Sequence, residues 1–191
     1  MMKRVLSASA WTLSALTLSA CGVLSGAGDP VPEPRYVSVV NSLSWTDAVS
    51  GKRDGRRTSW PLDKLKGQIE EFPLAQLKQC DQAGVCAWGM LRAQRTLLAY
   101  RYATGGVKLE LELALDVDRR QEARGDDYHA AMAVPSDIPA LRMSKKLRPS
   151  LMLEYGKVQH LQFDYGVSFD VCVLRYDAAG GALDQCDIPY I

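Results

Sequence analysis

The chain has 191 residues, 47% of them hydrophobic and 24% charged, a composition too apolar for intrinsic disorder. With 23 Lys plus Arg against 22 Asp plus Glu its formal net charge is +1, which lacks the basic surplus that binding to nucleic-acid phosphates calls for. Fifteen Gly and nine Pro are too few for a collagenous or low-complexity chain.

Met1-Met2-Lys3-Arg4 is a short basic start, and no charged residue follows from Val5 to Gly28. A basic start, an apolar stretch and then small residues make an export-signal pattern. At its end, Leu18-Ser19-Ala20-Cys21 resembles the lipobox of bacterial lipoproteins. The resemblance implies diacylation of the Cys21 sulfur, cleavage before Cys21 and acylation of the new amine. Together these chains, palmitate among them, meet the requirement for stable anchoring, which one chain alone does not. The uncharged stretch is long enough to span a bilayer, but six Ser and Thr between Ser7 and Ser19 make it weakly hydrophobic for that role. Gly22 stands where the Gram-negative lipoprotein pattern has Asp for inner-membrane retention, so the resemblance favours the outer membrane, periplasmic face. The expected organisation is a signal peptide over 1–20, a flexible tether rich in Gly and Pro over 21–35, and one β-rich periplasmic domain over 36–191.

Residues 36–40 carry β-branched side chains and read as a strand. Residues 50–59 read as a loop whose Lys52, Arg53, Arg56 and Arg57 are solvated or meet anionic headgroups or a partner. Ser59 is placed to cap a helix that begins at Trp60 and Pro61. Leu62, Leu65, Ile69 and Phe72 then follow at helical spacing until Pro73 stops them. Residues 90–98 read as a strand, although Leu91, Leu97 and Leu98 also suit a helix. The strand continues to Tyr102, and Thr104-Gly105-Gly106 turns the chain back. From Val107 to Val117 apolar residues alternate with Lys108, Glu110, Glu112, Ala114 and Asp116, the signature of an antiparallel strand with one wet face. Residues 119–148 form an irregular third, with a charged loop over 119–127, a short strand over 129–134 and a helical turn after Ser136. Two hairpins follow: 151–155 with 158–165 about Gly156-Lys157, and 167–176 with 183–190 about Ala178-Ala179-Gly180-Gly181. The fold class is therefore mainly β: an antiparallel β-sandwich or partly open barrel with one short peripheral helix.

Of five cysteines, the lipidated Cys21 leaves Cys80, Cys86, Cys172 and Cys186. An even number in an exported chain reads as disulfides. Local pairing joins Cys80 to Cys86 across a turn-like loop, and Cys172 to Cys186 across the Ala-Ala-Gly-Gly turn. The spacings lack the gap of about two to four residues typical of structural zinc sites.

Candidates for chemistry are few. Asp126, Asp127 and His129 form the one acid-base or metal-like cluster, and a metal site needs at least three converging ligands. His160, between Gln159 and Leu161, points outward. Glu110 and Glu112 read as the wet face of a strand rather than a paired-carboxylate site. Trp45, Trp60 and Trp88 line either a pocket or the core. Neither a nucleophile elbow nor a phosphate loop is present. These observations lead to a lipid-anchored envelope protein that acts by binding, in an accessory, assembly or inhibitory role. It is expected to be no enzyme, to use no cofactor or metal, and to meet an envelope protein partner. The alternatives are an envelope hydrolase using Asp126, Asp127 and His129, and a carrier of small apolar ligands.

Overall fold

Two antiparallel sheets pack face to face in a computed structural model that describes residues 36–124 and 129–189. The first sheet has the order β11–β12–β1–β2, formed by Gln159–Gln162, Ser168–Tyr176, Tyr36–Thr46 and Arg53–Pro61. The second is built on the hairpin of β5 (Cys86–Ala103) and β6 (Gly106–Asp118). On the outer side of β5 lie β3 (Ile69–Glu71) and β4 (Ala75–Cys80). Beyond β6 lie β9 (Met143–Leu147) and β10 (Ser150–Glu154). A ribbon of β7 (Arg120–Arg124) and β8 (His129–Ala133) lies against β5, and its Gln121 amide donates to Asp116 Oδ2 at 2.6 Å.

The alternation of β6 sets the interior. Val107, Leu109, Leu111, Leu113, Leu115 and Val117 are all buried, and they meet Val37, Val39, Leu43 and Trp45 of β1 with Phe169, Val171 and Val173 of β12. Phe72 meets Phe169 edge-on across the core, with centroids 6.4 Å apart. At about 25 cal/mol per Å2 of apolar surface, this shared interior is the main stabilising term. The β5–β6 turn needs its glycines. Gly105 has φ +76°, and a Cβ on Gly106 would stand 2.1 Å from the Leu153 carbonyl oxygen.

Several elements differ from expectation. The helix expected from Trp60 to Phe72 is a single turn, α1 (Leu62–Leu65), and Ser59 belongs to β2 instead of capping it. Gly67, at φ +77°, turns the chain out of the helix. Ile69 is then 67% exposed on β3, while Leu62, Leu65 and Phe72 are buried as the spacing implied. Residues 53–59 are strand, not loop, because the buried β1 requires a neighbour on that side. Much of the charged loop is also strand, β7. The leucine pair that suggested a helix is a β-bulge. Between Leu97 and Ala99 the register shifts, Leu98 is left exposed, and Tyr100 and Tyr102 come onto the face of Leu97.

Both C-terminal hairpins differ as well. β10 pairs with β6 and β11 with β12, so Gly156-Lys157 carries the chain between sheets. Leu151 and Leu153 are drawn to the β6 side, and the Gly156 N–H bonds the Val173 carbonyl at 2.9 Å. That contact blocks the second hairpin. The turn after β12 forms, Tyr176 bridges Ala182, and Leu183 N–H reaches the Arg175 carbonyl. Further along, the edge of β12 is already taken by Tyr155 and Gly156, so residues 183–189 leave as an irregular arm.

The arm is held by its own contacts. Asp184 accepts from the Arg175 backbone N–H at 3.1 Å and from its guanidinium at 2.9 and 2.7 Å. Those hydrogen bonds, from the side chain first, hold the Asp184 carboxyl below its usual value despite partial burial. A carboxyl depressed in the folded state stabilises above its unfolded pKa and loses that contribution as pH falls through the folded one. Asp184→Asn is expected to cost about 1 kcal/mol at neutral pH. The variant should also lose less stability than wild type on acidification below the ordinary Asp range. Denaturant melts at neutral and acid pH check both; parallel losses for the two proteins would contradict the linkage.

Candidate functional site

Cys80 bonds Cys86 and Cys172 bonds Cys186. The first pair closes the β4–β5 hairpin, where Asp81 Oδ1 accepts from the N–H groups of Ala83 and Val85 at 2.9 Å each. The second clamps the arm onto β12. Cys172, Cys186, Val40, Leu174 and Ile188 form a small second core there, on the outer face of the first sheet.

Cys21, Asp126 and Asp127 lie outside the described residues. His129 opens β8 opposite Arg124, and its side chain is likewise outside the description. Among the described residues no group of three or more His, Cys, Asp and Glu is arranged to hold a metal ion. The three tryptophans are not brought together: Trp45 is core, Trp60 is 48% exposed on β2, and Trp88 sits beneath Lys78 Nζ, 5.0 Å from its ring centroid. Glu110 and Glu112 are on the wet face of β6. Hydrogen bonds from Lys146 and Arg148, at 2.8 and 2.7 Å, hold the Glu112 carboxyl below its usual value.

The register brings other groups together. On the outer face of the first sheet one row crosses all four strands: His160 of β11, Asp170 of β12, Ser42 of β1 and Arg57 of β2. His160 Nδ1 is 2.8 Å from Asp170 Oδ1; the imidazole is 60% exposed and the carboxylate 13%. In this order Asp170 separates His160 from Ser42, so the row has no serine within reach of the imidazole. One row further along, Arg53 folds back across the sheet. Its guanidinium donates to the Gly166 carbonyl and Ser44 Oγ at 2.6 Å each, and also to Ser168 Oγ. Every acceptor is a neutral oxygen, so the charge of Arg53 has no counter-ion within the described residues.

Beside this row, Gly55, Arg57 and Ser59 of β2 border a groove of about 450 Å3 whose other wall is Val40, Leu174 and Tyr176. The small residues Gly55 and Ser59 leave the groove open. Gly55 is fixed by packing, since a Cβ there would lie 2.6 Å from the Leu43 carbonyl oxygen. The opposite face of β2 reaches the interior. Asn41 of β1 donates to Thr58 Oγ1 at 2.6 Å and to Glu70 Oε2 at 3.3 Å, and Glu70 is ion-paired to the buried Arg95 of β5. β2 therefore stands between a buried polar cluster and a surface groove, on the edge of its sheet.

Sequence reasoning noticed the cations of 52–57 but not their strand. It missed the partners His160–Asp170 and Glu70–Arg95, which only register reveals. No protein-family model matches this chain, and no curated protein sequence and no solved structure matches it at a significant level.

Proposed function

We propose that this chain is a lipid-anchored protein of the Gram-negative outer membrane, facing the periplasm, whose sandwich acts by binding another envelope protein in an accessory, assembly or inhibitory role. The carrying observation is Leu18-Ser19-Ala20-Cys21 behind Lys3-Arg4 and an uncharged stretch. Two disulfides support an exported protein, because such bonds persist in oxidising compartments. Residues 21–35 supply the tether between acyl chains and domain. Binding is supported by where the polar groups stand: the four domain thiols are closed in disulfides, and the cationic groups of β2 border an open groove.

The test is metabolic labelling with a palmitate analogue. Wild type is expected to carry the label and to fractionate with membranes. Cys21→Ser is expected to carry none and to lose membrane attachment. Equal labelling of the two proteins would remove the lipoprotein reading.

A further inference from the structure

The strand β2 is the last of its sheet: β1 pairs with it along one side, and no described strand or bridge pairs with the other. In an antiparallel strand every second residue turns its N–H and C=O to the outer side, so β2 offers a row of backbone donors and acceptors along its open edge. Lys52, Arg56 and Arg57 lie in or beside this strand with one acid, Asp54, whose Oδ1 accepts from the Gly55 N–H at 2.8 Å, while the Arg53 guanidinium is turned away across β1 towards Ser168 and Gly166. Arg56 is exposed and makes no ion pair within the described residues; Arg53 spends its hydrogen bonds on neutral oxygens.

We infer that the open edge of β2 is a strand-addition site for an extended acidic segment of a protein partner. The inference rests on the binding reading above and names its surface and the chemistry of its ligand. Main-chain hydrogen bonds to β2 supply affinity, and side-chain matching to its two faces supplies choice. Arg56, exposed and without an ion pair among the described residues, calls for an acidic residue opposite it in an added antiparallel strand, and a second acidic residue beside that one matches the net positive charge of residues 52–57. On the groove face the positions flanking Arg57 are Gly55 and Ser59. They leave room for apolar side chains of the added strand beside Leu174 and Tyr176. The ligand pattern is apolar, any, acidic, acidic, apolar. A second copy of this chain is disfavoured at the same edge, because pairing centred on Arg57 sets that arginine against its own copy.

The probe is a blocked Thr-Ile-Thr-Glu-Glu-Ile-Thr peptide, titrated against the full-length protein in detergent. Its controls are the Lys-Lys counterpart and a version N-methylated at alternate residues. The acidic peptide is expected to bind about tenfold or more tightly than the Lys-Lys peptide, and to weaken steeply as salt rises. The N-methylated peptide should not bind, and bound peptide should slow amide exchange in β2 before any other strand. Arg56→Glu, at an exposed position without partners, should leave the circular dichroism spectrum unchanged and reverse the preference between the two peptides. Any of four results overturns the proposal: equal affinity for both peptides, undiminished binding of the N-methylated one, exchange protection away from β2, or binding of anionic vesicles with none of the peptide. An increase in self-association at the β2 edge without peptide binding would replace the acidic partner by a second copy. Palmitate labelling of Cys21 is independent of all these readouts, so loss of this site would leave the anchor reading standing.

Discussion

Glu70→Ala is expected to destabilise the protein by about 3–5 kcal/mol, a large share of the roughly 5–15 kcal/mol that holds a domain of this kind together. Glu70 lies on β3 opposite Arg95 of β5, with its carboxylate turned between the sheets. The Arg95 side chain is 2% exposed and that of Glu70 15%. Removing the carboxylate strands the Arg95 guanidinium, whose Nε has no hydrogen-bond partner among the described residues, in the interior beside an equally unpartnered Asn41 Oδ1. Glu70→Gln keeps an acceptor but loses the charge, and should fall between wild type and Ala. The double variant Glu70→Leu with Arg95→Met removes both charges and should recover most of the loss. Denaturant midpoints of the four proteins decide the matter. A Glu70→Ala midpoint indistinguishable from wild type would mean that the pair is hydrated and contributes nothing to register.

That ion pair also marks where a sequence reading stops. β6 was legible because six apolar residues alternate without interruption, and every one of them is buried. The local disulfide pairs were legible because both bridge short loops. β2 was not, since Arg53-Asp54-Gly55-Arg56-Arg57-Thr58-Ser59 has no apolar alternation. Its strand state is imposed by pairing with β1. Leu62, Leu65, Ile69 and Phe72 fit a helical stripe, yet Gly67 leaves Leu62 and Leu65 on one turn, puts Ile69 on a short strand and leaves Phe72 just beyond it. Likewise a Gly-Lys turn fixes only local geometry; whether the next strand stays in the same sheet depends on distant partners. His160 and Asp170, ten residues apart, meet only because β11 and β12 pair in that register.

Loss of the Cys172–Cys186 disulfide is expected to be the other large effect, and larger than loss of Cys80–Cys86. In the chain-entropy account, a closed loop of about fifteen residues contributes roughly 3 kcal/mol, and the shorter loop somewhat less. Burial widens the gap. Cys172 and Cys186 are 0% and 7% exposed, in the small core with Val40, Leu174 and Ile188, so alanines there also leave a void. Cys80 is exposed on a hairpin that keeps its β4–β5 pairing and its Asp81 turn without the bond. The double alanine variant at 172 and 186 should therefore lose about 3–5 kcal/mol. It should also show faster amide exchange over 183–189, because the arm has no ladder of its own and retains only the turn, the Arg175–Asp184 contacts and the packing of Ile188. The variant at 80 and 86 should lose about 2 kcal/mol and leave the arm protected. A greater loss from the 80–86 variant, or unchanged exchange over 183–189 in the other, would show that the arm is held by Asp184 and the Ile188 packing rather than by its disulfide.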